Sequence, residues 1–280
     1  MKKREFVNED IVIFCNAGGR LDQYTKNPIE CGNPILFGGP PEQDESIEEN
    51  LDHKKPRNFK VIFNHCPPVE LLELSTESIH GKRHYVTPGG KYPSITSVLG
   101  AFPNPALVEW RKRVGEAEAD RISAFASSRG TKFHSLCEQY LLNEEIDKKK
   151  FMPDILSSFY EFKSILHRIN DIHRLEVPLY SNKLKVAGRV DAIGNFDGEL
   201  SIIDFKTSKK EKREEWIESY FLQTTFYSMA YFELTGIIVK NIVILISVDD
   251  GDNQVFIKPV KDYVKPLISK INEYYRLYHV

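Results

Sequence analysis

The chain has 280 residues, 41% hydrophobic and 28% charged, with 17 Phe and 13 Tyr; that is enough apolar surface for a filled core and argues against wholesale disorder. Its net charge of -2 offers no basic excess that would by itself point to nucleic acid. No apolar run is long enough to span a membrane, and the basic-then-acidic start MKKREFVNED has no secretory pattern, so a soluble, intracellular, cytoplasmic protein is expected (host cytoplasm for a viral one).

In chain order, IVIFC (11–15) reads as a strand, residues 31–41 as loop and the acidic run 42–52 as a solvated loop. NFKVIFN (58–64) is a strand candidate, and PVELLELSTESIH (68–80) a short helix with Pro68 near its start. A Pro-Gly-Gly turn follows, then a helix capped by Ser94. Asn104 and Pro105 open a helix whose apolar positions include Leu107, Val108, Val114, Ala117, Ile122 and Phe125. Gly130 is expected to interrupt it, with Thr131 opening a second helix and Pro153 a third. Beyond residue 172 the texture changes to strands over 173–181, 184–196 and 200–208, with a turn at Asp197-Gly198. A helix over 214–236 stopped by Gly236, strands over 239–250 and 254–260, and a final helix over 261–278 complete the series. The four cysteines are scattered without a CxxC pair, which disfavours a zinc ribbon and favours reduced thiols.

The chemistry concentrates where acids stand among apolar neighbours. Asp191 in KVAGRVDAIG and Asp204 in SIIDFKTS both occupy such runs, and an unpaired charge there would be costly. Residues two apart on a strand share a face, so Asp204 and Lys206 emerge together, with Asp191 on the adjacent strand. A lone DxK is by default an ion pair that offsets partial burial. The longer pattern GRVD, short connection, IIDFKTS is rarer by chance, and a hard divalent ion held by carboxylates explains it economically.

GRVDAIG…IIDFKTS resembles the motif of the PD-(D/E)XK nuclease superfamily, in its RecB-like exonuclease branch. The resemblance implies an α/β (α+β) fold: a restriction-endonuclease-like core with a mixed central sheet flanked by helices, and a helix-rich N-terminal half. It implies a catalytic set of Asp191, Asp204 and Lys206, with metal bound by Asp191, Asp204, the backbone carbonyl of Phe205 and His134. His134 comes from RGTKFHSLCEQYL, similar to the branch's helical GxxxH motif; Gln223 and Tyr227 come from QTTFYSMAY, similar to its QxxxY motif. Glu138, at i+4 from His134, is either a partner of that histidine or a solvated acid. Glu176, in the preceding strand, is a further acid able to approach the site.

A closer resemblance, over roughly residues 84–260, is to the mitochondrial genome maintenance exonucleases and their phage-encoded relatives, through YPSITSVLG and WRKRVGEAEADRISAFASSRGTKFHSLCEQYL. This divides the chain into an accessory region of open role (1–80) and an exonuclease domain (81–280). It implies one or two Mg²⁺ or Mn²⁺ ions and, as partner, DNA that is single-stranded or has free ends. No cysteine follows Cys137, which disfavours the iron–sulfur branch. Ser94 and Thr96 could meet a phosphate or, for Ser94, simply cap a helix. Trp110, Arg111, Lys112 and Arg113 could line a passage for the strand or form an exposed helix face. Rival readings are a structure-specific endonuclease on the same core and a non-catalytic protein that binds DNA or serves assembly.

Overall fold

The computed structural model describes residues 61–102 and 105–278; the expectations for 11–15, 31–41 and 42–52 lie outside these residues. A three-stranded antiparallel sheet comes first: β1 (Thr76–Ile79), β2 (Lys82–Thr87) and β3 (Gly90–Pro93). The main sheet has five strands, in the order β4 (Ile169–Ser181), β5 (Val186–Phe196), β6 (Glu199–Ser208), β7 (Asn241–Val248) and β8 (Gln254–Pro259). Among the described residues six α-helices accompany them: α1 (Ile95–Leu99), α2 (Pro105–Val114), α3 (Glu116–Leu141), α4 (Pro153–Leu166), α5 (Glu218–Thr235) and α6 (Lys261–Tyr278).

The main sheet is mixed. β6 and β7 are parallel while the other neighbours are antiparallel, and the parallel step requires a crossover, which α5 supplies. Both faces of the sheet are covered. Ile242, Ile244 and Ile246 of β7 pack in one core with Phe221, Phe226, Tyr231, Val264 and Leu267 from α5 and α6. Val243 and Leu245 point the other way, into a second core with Phe133, Leu136, Phe159 and Phe162 from α3 and α4. A strand apolar on both faces, as NIVILISV is, fits only this layered position. No helix among the described residues is long and apolar enough to cross a membrane.

The strands expected from residue 173 onward are present, and the Asp197-Gly198 turn has positive φ at both residues (51° and 86°), as a tight two-residue hairpin demands. Gly236 ends α5 in the left-handed region at φ 75°, its N–H bonded to Phe232 O.

Four expectations need correction. Residues 68–80 do not form a helix: the second half becomes β1, because His80 and Gly81 (φ 49° and 73°) build a tight hairpin turn that pairs Ile79 with Lys82. Residues 61–64 lie in no named strand, although Phe63 is buried in the second core and His65 bridges to Ile172. Gly130 does not interrupt the helix. The break lies at Gly115, whose φ of 87° a side chain would resist, while Gly130 sits inside α3 where an added Cβ would touch Thr207 Oγ1 at 3.6 Å. Finally, Cys137 is a buried free thiol but Cys66 is disulfide-bonded, against the expectation of reduced thiols throughout; scattered cysteines carry no spacing that reports proximity.

Candidate active site

The site opens where two strands of the main sheet part. The β5–β6 ladder runs from Phe196↔Glu199 to Ala192↔Ile203 and ends there. At the next position the Asp191 side chain takes over the ladder's role: its Oδ2 accepts from Phe205 N at 2.7 Å. This N–H is one of the attractions that hold the Asp191 carboxyl below its ordinary range, although burial pushes the other way and the His134 and Lys206 charges contribute more.

Around Asp191 stand the other groups that the strand and helix patterns singled out. His134 Nδ1 on α3 lies 3.4 Å from Asp191 Oδ1. Burial disfavours the imidazolium, but the Asp191 charge outweighs it, so the His134 pKa is raised. Asp204 and Lys206 leave β6 on one face and form an ion pair, with the lysine side chain 20% exposed. Gln223 Nε2 on α5 donates to Asp204 Oδ1 and to Tyr227 Oη, both at 3.1 Å. Burial raises the Asp204 carboxyl to about 6, with the nearby Asp191 charge adding to the shift against the pull of Lys206. Burial also keeps the Tyr227 phenol protonated, its pKa raised well above the usual value. Gly188 makes this approach possible: a Cβ there would stand 2.8 Å from Tyr227 Cε1 and 3.0 Å from Ile95 Cγ2.

Glu176 is the residue whose weight the sequence understated. It lies between the pairs Leu175↔Ala192 and Val177↔Val190, directly across from Asp191, and has φ 46° inside a strand. A left-handed, non-glycine strand residue is strained, and such strain persists where the surroundings fix it. Burial, and next the Asp191 charge, raise its carboxyl to about 7. The donor atoms of His134, Glu176 and Asp191 all lie within 4.8 Å of one another, a spacing able to hold a metal ion. Imidazole plus carboxylate oxygens suit a hard or borderline divalent cation, so the residues present fit one.

His134, Glu176, Asp191, Lys206, Gln223 and Tyr227 floor a cleft of about 490 Å³ that Ser94, Thr96, Glu138, Gly188 and Arg189 also line, while Asp204 is fully buried and does not line it. Ser94 also caps α1, accepting from Ser97 N at 3.0 Å. Trp110, Arg111 and Arg113 are not part of that lining: they sit on α2, where Arg111 is ion-paired with Glu116 and Asp120. Tyr220, which no motif marked, faces Lys206 Nζ with its ring centroid 5.1 Å away, a cation–π contact one helical turn before Gln223.

A family model, that of the PD-(D/E)XK nuclease superfamily, matches residues 111–240, the stretch that carries His134, Glu176, Asp191, Asp204, Lys206, Gln223 and Tyr227. That stretch is thus similar to the PD-(D/E)XK nucleases. It is similar to mitochondrial genome maintenance exonuclease 1 of Homo sapiens, 25% identical over 210 residues, covering 72% of this chain and 58% of the relative. The same protein of Xenopus tropicalis is 28% identical over 210 residues, covering 70% and 60%. An ATP-dependent helicase/nuclease of Clostridium beijerinckii is similar too, 24% identical over 270 residues, covering 82% of this chain and 21% of the relative. The chain therefore spans about three-fifths of the length of the mitochondrial relatives it matches. Within this stretch the motif residues come from three separate layers, α3, the β4–β6 strands and α5, and meet only through the fold.

Proposed function

We propose that the protein is a metal-dependent DNA exonuclease that hydrolyses phosphodiester bonds, acting on single-stranded DNA or on DNA ends and flaps in replication, repair or recombination. One observation carries this reading: His134, Glu176 and Asp191 converge within 4.8 Å beside the Asp204–Lys206 pair, at the floor of an open cleft. The ion would be Mg²⁺ or Mn²⁺, one or two per site, held by Asp191, Asp204, His134 and the Phe205 carbonyl, with Glu176 as an added ligand. When bound, it polarises the phosphate and acidifies a coordinated water.

The chain's own groups do the rest. Lys206, kept cationic by Asp204 and Asp191, places an ammonium where charge grows on the phosphate and orients the attacking water. Gln223 fixes the rotation of the Asp204 carboxylate, and Tyr227 holds the Gln223 amide in turn. His134 sets the position of Asp191 through their contact.

The test is an assay on end-labelled linear single strands, closed circular single strands and flapped duplexes with Mg²⁺, Mn²⁺ or EDTA. Linear and flapped substrates should be degraded, circles spared, and chelator should stop the reaction. Sustained cutting of circles would instead favour a structure-specific endonuclease. DNA left equally intact by wild type and Lys206→Ala, with binding retained by both, would favour a non-catalytic binding role.

A further inference from the structure

One wall of the cleft takes no part in the acid centre. Arg83 and Tyr85 are two apart on β2, share a face of that strand, and both line the cleft. Tyr85 is buried, whereas Arg83 is exposed. The other cations of the lining are engaged: Lys206 pairs with Asp204, while Arg189 donates to Glu176 O and lies 3.3 Å from Glu73 Oε2. Among the described residues the Arg83 side chain makes no ion pair or hydrogen bond, while its backbone oxygen accepts from Ser94 N. On α3, Ser127, Thr131 and Ser135 recur every fourth position, which places them along one stripe, and all three line the same cleft. The Thr131 hydroxyl donates to Ser127 O at 3.0 Å and the Ser135 hydroxyl accepts from Gln139 Nε2 at 2.9 Å, which leaves the Ser127 and Ser135 protons to give. The cleft thus joins an acidic floor to one uncommitted guanidinium and a row of hydroxyls.

We propose that Arg83, with the hydroxyl stripe of α3, forms a binding subsite for a phosphate of the substrate strand next to the scissile one. The proposal rests on the nuclease reading, and it adds where the strand is gripped. A guanidinium engages phosphate through a planar fork, and an unpaired one gives up no existing partner when the anion arrives. Hydroxyls donate to phosphate oxygens without carrying charge, so Arg83 alone supplies the salt-sensitive part of this grip.

The experiment compares wild type, Arg83→Gln and Arg83→Lys in two measurements across a series of KCl concentrations. The first is steady-state cleavage of a labelled linear single strand. The second is fluorescence anisotropy of the same strand in EDTA, which needs no turnover. Arg83→Gln should raise KM and Kd about tenfold at low salt with kcat within about twofold, as loss of one charge-assisted contact implies. Its salt slope should fall by about 0.7, the value for one phosphate on a single strand, and Arg83→Lys should restore most of that slope. Thermal midpoints should match, because the side chain has no partner among the described residues. Wild-type KM, Kd and slope in Arg83→Gln would overturn the subsite while leaving the nuclease reading intact. If wild type cleaves with neither Mg²⁺ nor Mn²⁺, the nuclease reading fails, and an unchanged Kd and slope in Arg83→Gln would separately overturn the subsite.

Discussion

Helix α3 is one continuous helix with two unlike halves. From Glu116 to Gly130 only Ala119 is buried, and Ile122 and Phe125 stand 39% and 65% exposed. From Thr131 to Leu141 the same helix buries Phe133, Leu136, Cys137 and Leu141 against α4 and the sheet, and brings His134 to Asp191. The front half, with α2, is held by ion pairs: Arg111 with Glu116 and Asp120 near its start, and the largely buried Arg129 with Asp154 and Asp249 at its end. Rigid packing and the candidate chemistry coincide in the back half. Apolar periodicity alone does not distinguish a helix that is packed from one that projects; what differs is whether the far end has a sheet to lie on.

The comparison can be broken most severely at the chemistry. Lys206→Ala should lower the cleavage rate by about 10²–10³-fold, the usual cost of removing a preorganised charge stabiliser, with the fold retained in its circular dichroism. His134→Ala should cost about 10–100-fold and weaken Mn²⁺ binding measured by titration calorimetry. Neither effect has a counterpart in the front half. Next comes packing: Phe133→Ala should destabilise by about 3–5 kcal/mol in urea unfolding, and Phe125→Ala by no more than about 0.5 kcal/mol, although the two lie on one helix. Equal losses would mean that the front half is covered in solution. Gly115→Ala should cost about 1 kcal/mol, because its φ of 87° is strained for any side chain while no atom lies near the added Cβ. Arg111→Ala should change stability by less than about 1 kcal/mol, since exposed ion pairs are screened.

The weakest test is a pH effect on the packed side. The Arg168 hydrogen bonds hold the Asp197 carboxyl below its ordinary range. A depressed acid contributes stability above its unfolded value, lost as pH falls through the folded one. Arg168→Ala should therefore flatten the acid limb of a stability–pH curve slightly, by about 0.5 kcal/mol at most for a pair this exposed.

Much of the site was legible because burying charge is costly. Asp191, Asp204 and Lys206 stood out as charges in apolar strands, and strand alternation put the last two on one face. The order of the histidine, aspartate, lysine and glutamine motifs placed α3 and α5 around them. Glu176 carried the same signal, an acid in HRLEVPLYS, but alternation cannot foresee the left-handed residue that sets its backbone opposite Asp191. Tyr220 gave no sign, since an aromatic at helical spacing is ordinarily core. The helix expected over 68–80 failed because Leu71, Leu72 and Leu74 look periodic, while the His80-Gly81 turn favours pairing that only β2 can supply. Gly115 and Gly130 show why a glycine is ambiguous: one permits a bend, while at the other a Cβ would make only an ordinary contact within a continuous helix.

The glycine of GRVD has a different lesson. Because a Cβ at Gly188 would run first into the Tyr227 ring and then into Ile95 Cγ2, positions 188 and 227 are sterically coupled although they belong to two motifs. A descendant of this chain that replaced the tyrosine with a smaller residue would remove the tighter contact at 188, leaving Ile95 Cγ2 at 3.0 Å as the remaining limit. One that kept the tyrosine would have to keep the glycine too. Substitutions at 188 and 227 should then be inherited as a couple, and the double variant Gly188→Ala, Tyr227→Leu should fold better than Gly188→Ala alone, even though it has discarded a group of the site.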